Sequence, residues 1–368
     1  MFGTILTCVV TVMQVYVFWR AASVPFVKRH LSWKVVAAVG VGLWALFLVS
    51  RQVGHGGSGA LASTLELLGM DWMGALFLIS VTLLAMDVLT GFGLLVRRRA
   101  PALRGLALAG GVVLAVVAMV QGMRPPVVED YDVHLAGLPE ELDGTVVVAL
   151  SDMHLGSLLG PRWLEARVAQ AAAARPDLVV LLGDITEGHG RPVGELLPIM
   201  RRLSAPMGVW AVRGNHENHG SGESLLEEAG FGVLRDTWAE VRPGLVLAGV
   251  DDVRAWRDTG AGGQSVSKAL AGRPGSATIL LSHIPWHAEV AADAGVGLML
   301  SGHTHGGQIW PFDYVIRRRC PLLEGRYEVG GMTAIVCRGT GTWGPRMRLW
   351  RPGEILRITL HPKPAPAP

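Results

Sequence analysis

The sequence predicts a two-part protein: an N-terminal multi-span α-helical membrane region, then an α/β domain of layered sheets flanked by helices. Three observations carry this reading. Four apolar stretches, at about 2–19, 35–50, 72–96 and 105–122, fill the first third of the 368-residue chain. The charge is divided: residues 1–124 carry ten Lys/Arg against three Asp/Glu, a balance of +7, and the remainder carries −4. Beyond residue 144, short β-branched apolar runs alternate with helical patterns, as in folds that stack helices on sheets. Half the residues are hydrophobic and only 17% are charged, against about 25% in soluble chains. Disorder and collagen are excluded, and three cysteines are too few for a disulfide framework.

A membrane-crossing helix needs about 20 apolar residues. The third stretch is long enough alone, and the second borrows Trp33 and Lys34 as interfacial anchors. The first has no basic residue before it and no small-residue cleavage site, so it reads as a span and not a secretory signal. Arg20, Lys28, Arg29 and Lys34 follow span one, and Arg97, Arg98, Arg99 and Arg104 follow span three. The positive-inside rule places both loops in the cytoplasm and everything after Arg124 outside the cell membrane. Asp87, inside span three, reads either as a functional carboxylate or as one hydrogen-bonded to Gln14, Gln121 or Ser/Thr neighbours.

Residues 125–143 read as a tether with a first edge strand, 144–360 as the α/β domain and 361–368 as a disordered tail. Strands are expected at Thr145–Leu150, Leu178–Leu182, Gly208–Val212, 245–250, 277–282, 296–300, 332–337 and 355–360, the later ones pairing antiparallel. Helices are expected at Pro161–Ala174, with Pro at the start, at Val193–Leu203 and at Gly222–Ala229.

Five strands end directly in polar, metal-type residues: Ser151-Asp152-Met153-His154, Gly183-Asp184-Ile185-Thr186-Glu187, Arg213-Gly214-Asn215-His216-Glu217, Ser282-His283, and Ser301-Gly302-His303-Thr304-His305. In open α/β sheets, sites gather beyond the carboxyl ends of strands. Singly, each string is as well explained by a turn, a helix cap or a surface histidine; their order and placement favour one site. Two Asp, one Asn and four His offer nitrogen and oxygen donors without thiolate, a set suited to Mn, Fe, Zn or Mg. Two such ions a few ångströms apart would clamp a phosphate and lower the pKa of water.

The series resembles the calcineurin-like metallophosphoesterase superfamily, over roughly residues 144–360. The motifs are Asp152-x-His154, Gly183-Asp184-x-x-Glu187, Gly214-Asn215-His216-Glu217, His283 and Gly302-His303-x-His305. The longer string Ser301–Gln308, with Arg338-Gly-Thr-Gly341 and Arg346-Met-Arg348, is similar to the bacterial membrane-linked branch, whose members include UDP-diacylglucosamine pyrophosphohydrolases. The resemblance implies a two-sheet β-sandwich flanked by helices. It implies two divalent cations, one on Asp152, His154 and His305, the other on Asn215, His283 and His303, with Asp184 shared. A metal-bridging hydroxide would attack phosphorus and His216 would act as general acid. Many relatives orient that histidine with an Asp; Glu187 stands there in this chain. Arg213 is assigned to a phosphate oxygen or, alternatively, to Glu217.

The expected function is therefore a membrane-anchored, dinuclear-metal phosphohydrolase acting on a lipid-linked or membrane-proximal phosphoester or pyrophosphate. The alternatives are a phosphoesterase of soluble substrates and a catalytically silent metal-binding sensor. The inferred orientation argues against the nucleotide-lipid substrate, which such relatives cleave on the cytoplasmic side. Nucleic acid is not expected, because the domain is net acidic and lacks a basic stripe. His189, His219 and His287 read as rim residues, and Asp251-Asp252 as a turn or a substrate contact. Trp310, Phe312 and Tyr314, before Arg317–Arg319, read as a capping loop or a bilayer-surface segment. Cys320 and Cys337 read as two separate thiols, with pairing the alternative.

Overall fold

The computed structural model describes residues 2–54, 57, 59–187, 193–217, 222–251 and 262–363. His189, His219, Asp252 and residues 364–368 lie outside the described residues. The chain forms two compact units, one of residues 1–124 with 344–350, the other of 125–343 with 351–368.

The first unit contains α1 (Phe2–Ala21), α2 (Pro25–His30), α3 (Trp33–Val49), α4 (Ala60–Leu89) and α5 (Ala100–Gly122). Four of its helical stretches are long and apolar enough to cross a membrane: Gly3–Ala21, Trp33–Gly54, Ala60–Leu89 and Ala100–Gly122. The third span, expected at 72–96, instead starts at Ala60 and stops at Leu89. Gly91, Phe92 and Gly93 adopt positive φ and end it, a conformation that cannot continue a right-handed helix. Val10, Val17, Phe47, Leu76, Ile79, Leu83 and Ala107 form the unit's core. Asp87 is fully buried, but its partners differ from those expected. Arg20 Nε lies 2.6 Å and Arg104 Nε 2.8 Å from its two oxygens, and the Tyr16 hydroxyl donates at 2.8 Å. A carboxylate so deep needs paired charge, which hydroxyl or amide neighbours do not supply.

Residues 344–350, expected within the α/β domain, belong to the helical unit. The Arg346 amide donates to Asp71 Oδ1 at 2.8 Å, the Arg348 amide to Ala118 O at 2.9 Å and the Trp350 amide to Gln121 Oε1 at 2.8 Å.

The second unit holds two six-stranded sheets. The first has the order β1-β12-β2-β3-β4-β5, from β1 (Val127–Leu135), β2 (Thr145–Leu150), β3 (Leu178–Leu181), β4 (Val209–Ala211), β5 (Gly232–Val233) and β12 (Glu354–Pro362). The second has the order β10-β11-β9-β8-β7-β6, from β6 (Thr237–Arg242), β7 (Leu245–Gly249), β8 (Ala277–Leu281), β9 (Leu298–Ser301), β10 (Gly325–Val329) and β11 (Met332–Val336). Contrary to expectation, β7, β8, β9 and β11 run parallel, and among the described strands of this sheet only the edge pairs β6–β7 and β10–β11 are antiparallel; β12, in the other sheet, does pair antiparallel with β2 as expected. Short spacing between late strands misled the reading, because β6 and β10 supply the edge hairpins and sheet crossovers fill the other gaps. β12 continues to Pro362, so 361 and 362 are strand and not tail.

Side chains alternate across the strands. Val147 and Ala149 of β2 face Leu247 and Ile279 of the other sheet across the central core. Val146, Val148 and Leu150 turn outward onto α6 (Pro161–Ala173), α7 (Val193–Met200) and α8 (Gly222–Glu228). Both faces of β2 and β3 are covered, which is why those strands read as unbroken apolar runs. Leu247→Ala, in the sheet–sheet core, is expected to cost about 2–5 kcal/mol, read as a lowered melting temperature of the purified protein.

Candidate metal centre

The five polar strings occupy the carboxyl ends of β2, β3 and β4 in one sheet and of β8 and β9 in the other. The central core joins the two sheets, so these ends meet at one rim of the sandwich. Backbone bonds lace the loops together: the Asp152 amide donates to Gly183 O at 3.0 Å, the His154 amide to Asp184 O at 3.0 Å and the Gly302 amide to His283 O at 2.9 Å. Asp152, His154, Asp184, His303 and His305 all sit at φ between 47° and 69°. Left-handed backbone is uncommon for residues with a Cβ, and it clusters where function demands it. The glycines between them are compulsory. A Cβ on Gly183, itself at φ +90°, would stand 2.6 Å from Gly214 N and 2.7 Å from His283 Nδ1, and one on Gly302 would strike Ser151 and Asp152.

The donor atoms converge. Asp152, His154 and His305 each offer an atom to one cluster, and Asp184, His283 and His303 to another, with all atoms of a cluster within 4.8 Å. Asp184 also groups with His154 and His216, and so links the two. His154 Nε2 lies 3.1 Å from His305 Nε2, which is 3.3 Å from Asp152 Oδ1. His283 Nε2 lies 3.2 Å from Asp184 Oδ2 and 3.3 Å from His303 Nδ1. His283 Nδ1 meets Leu182 O at 2.8 Å; a carbonyl can only accept, so Nδ1 carries the proton and Nε2 presents its lone pair to the cluster. Asn215 is held between Gly214 and His216, whose amides donate to Glu217 and to Asp184 Oδ1. Asn215 Oδ1 is buried and has no hydrogen-bond partner among the described residues. Converging imidazole nitrogens and carboxylate oxygens, with a buried amide oxygen left over, fit divalent cations.

Glu187 contacts two histidines at once, His154 Nδ1 at 2.9 Å and His216 Nδ1 at 3.1 Å. The longer carboxylate thus reaches the His216 ring. Burial opposes ionisation of Glu187, but the charge of His154 and its hydrogen bonds to both rings hold it well below the usual carboxylate range. Burial likewise disfavours charged His216, yet the bond to Glu187 and the Asp184 charge outweigh it and raise its pKa to about 9. His303, buried beside His283, falls to about 3. Burial pushes Asp152 up. It opposes ionisation of Asp184 too, but His283 holds that carboxyl well below its ordinary value.

Arg213 is buried and donates to Asp251 Oδ2 at 2.7 Å. It is therefore a buried residue and not a surface one. Asp251 also draws Arg235 to 3.4 Å, so it serves an ion-pair cluster. His287 caps the start of α9 (Ala288–Asp293) in left-handed conformation. Cys320 and Cys337 are buried free thiols.

Two residues were missed. Glu217, fully buried, accepts four backbone amides: Asp184 at 2.9 Å, Ile185 at 2.6 Å, Thr186 at 3.0 Å and Gly214 at 2.7 Å. Its signal was present as the last letter of the Gly214-Asn215-His216-Glu217 motif, which gave it no role beyond an alternative partner for Arg213. Trp343 sets its ring edge-on to His216, with centroids 6.1 Å apart, and nothing in its local sequence marks it.

Comparison with known proteins bears on this geometry directly. Residues 145–307 match the family model described as calcineurin-like phosphoesterase. An uncharacterized metallophosphoesterase of Aquifex aeolicus is 35% identical over 248 residues, covering 64% of this chain and 92% of that protein. The chain belongs to the calcineurin-like phosphoesterase family. A transmembrane protein with metallophosphoesterase domain from Danio rerio is 34% identical over 270 residues, 69% of this chain and 62% of that one. Its counterpart from Bos taurus is 32% identical over 292 residues, 74% of this chain and 66% of that one. The match thus spans less than two thirds of either transmembrane relative. With its four membrane-length helices, this family member is a membrane protein.

Glu217→Ala would strand four buried amides and is expected to cost about 3 kcal/mol or more. Glu217→Gln, with one acceptor oxygen kept, should recover part of the loss in thermal unfolding.

Proposed function

We propose that this phosphoesterase is a membrane-anchored, two-cation phosphohydrolase that cleaves a phosphoester or pyrophosphate bond in a lipid-linked or membrane-proximal substrate. The observation that carries the reading is Asp184, which belongs to donor clusters on both sides of it. In this reading Asp152, His154 and His305 hold one cation, Asn215, His283 and His303 the other, and Asp184 both. Mn, Fe, Zn and Mg all suit the donors. When bound, such a pair supplies Lewis acidity toward phosphate oxygens and an activated water.

The chain's own residues do the rest. Glu187 holds His216 through Nδ1, which leaves Nε2 as the atom that gives a proton to the leaving oxygen. The His216 side chain keeps 20% of its surface open, whereas those of His154 and His283 are closed at 1% and 0%. An imidazole that meets a leaving group must be reachable; one that ligates must not move. Glu187 also bonds His154 Nδ1, so one carboxylate fixes both the acid and a ligand.

Support for a membrane-proximal substrate comes from the four membrane-length helices and from Trp310, Phe312 and Tyr314, all exposed ahead of exposed Arg317–Arg319. Aromatic and basic side chains together favour a lipid surface. The basic loops support an extracytoplasmic catalytic domain.

Hydrolysis by the full-length protein with Mn²⁺ tests the reading. Asp184→Ala should abolish turnover of p-nitrophenyl phosphate and its bis-ester. His216→Ala should cost about 100-fold or more on an alkyl phosphodiester, whose leaving oxygen needs a proton, but under about tenfold on p-nitrophenyl esters. Equal loss on both would remove His216 from the acid role. Phosphorus NMR of a lipid extract treated with the enzyme should show a lipid phosphate resonance consumed. Activity confined to soluble esters would replace the lipid-linked substrate with a soluble one, and no activity with any cation would favour a sensor.

A further inference from the structure

We infer that the helical unit carries a binding site for an anionic glycerophospholipid, an acyl chain lying in the groove between α1 and α3 and the phosphate at its Arg20 end. The inference is independent of the metal centre. The groove has a volume of about 410 Å³ and is lined by Val15, Trp19, Trp33, Ala37, Val41 and Trp44, among others. Thr11, Gln14 and Trp44 in its lining already engage their polar groups within the unit. Trp44 Nε1 donates to Thr11 Oγ1 at 2.9 Å, Gln14 Nε2 donates to Gly40 O at 2.8 Å, and Gln14 Oε1 accepts from Trp72 Nε1 at 3.1 Å. What fills such a space is hydrocarbon.

Charge supplies the second observation. The Arg20 guanidinium lies 4.0 Å from the ring centre of Trp19, a wall of the groove. Arg20 and Arg104 share one carboxylate, Asp87, so two buried guanidiniums face one negative charge. Lys28, Arg29 and Lys34 add further positive charge in the α1–α3 connection. The nearest other acid on α4, Asp71, is 16 residues from Asp87, about 24 Å along the helix. Loop lysines and arginines are explained by membrane orientation. A second buried guanidinium on a single carboxylate is not, and among the described residues the cluster of Arg20, Arg104 and Asp87 carries one positive charge in excess. Guanidinium forks match phosphate oxygens. An apolar groove walled by a tryptophan that stacks on a guanidinium sharing its counterion is complementary to a phosphodiester bearing an acyl chain.

Native mass spectrometry of the full-length protein, equilibrated in detergent with equimolar phosphatidylglycerol and phosphatidylcholine of identical chains, tests this. Wild type should retain phosphatidylglycerol several-fold over phosphatidylcholine. Arg20→Lys should keep the preference and Arg20→Gln should bring it to parity. Ala37→Trp, which fills the groove and touches no charge, should lose bound lipid of both kinds, and it stands as an independent readout should Arg20→Gln fail to fold. Equal retention of the two lipids by wild type would overturn the proposal. So would a preference that survives Arg20→Gln, or one abolished by neutralising Lys28 and Arg29 alone.

Discussion

Two carboxylates, Asp152 and Asp184, are buried at the ends of adjacent parallel strands, and the architecture of the rim follows from having to keep them there. An ionised carboxylate out of water costs several kcal/mol unless it is paired and hydrogen-bonded. Asp152 is met by the Ser151 hydroxyl and the His303 amide, and Asp184 by the His216 amide and the His283 ring. Glu217 adds a third buried carboxylate, and its four amide bonds tie the β3 loop to the β4 loop. So much negative charge beside imidazoles is balanced when cations are present. The same reasoning accounts for the left-handed backbone at five of the expected ligands. Strain is tolerated where many bonds over-determine a conformation.

Glu187 shows how one substitution within a family pattern is absorbed. One more methylene than aspartate lets the carboxylate reach both His154 and His216. In the proposed reaction, orientation of His216 and orientation of His154 become a single constraint. The proposed roles also match accessibility, with His154 and His283 sealed in the rim and His216 open at its edge.

Much of this was legible in the sequence, for physical reasons. Strands β2 and β3 are covered on both faces, so their apolar runs were unmistakable, and polar residues placed directly after them marked the strand ends. The membrane helices announced themselves by length. What stayed hidden depended on long-range pairing. Parallel order among β7, β8, β9 and β11 is set by crossovers whose direction no local pattern records. The edge strands β6 and β10, partly polar, lacked a signal. Glu217 had no structural role until the amides it gathers, three of them more than 30 positions away, were in view. Asp87 was recognised as costly, but its arginine partners come from α1 and α5, outside any local window. Residues 344–350 joined the helical unit against the order of the chain, held by backbone amides that no side-chain pattern betrays.

The proposed chemistry requires the donors to form one pocket for a pair of cations. Metal content of the purified full-length protein, measured by inductively coupled plasma mass spectrometry after equilibration with Mn²⁺ and removal of free ion, tests this most directly. Two equivalents per chain are expected, falling to one or fewer in Asp184→Asn. Wild-type protein that holds less than one equivalent, or an Asp184→Asn variant that still holds two, would contradict it.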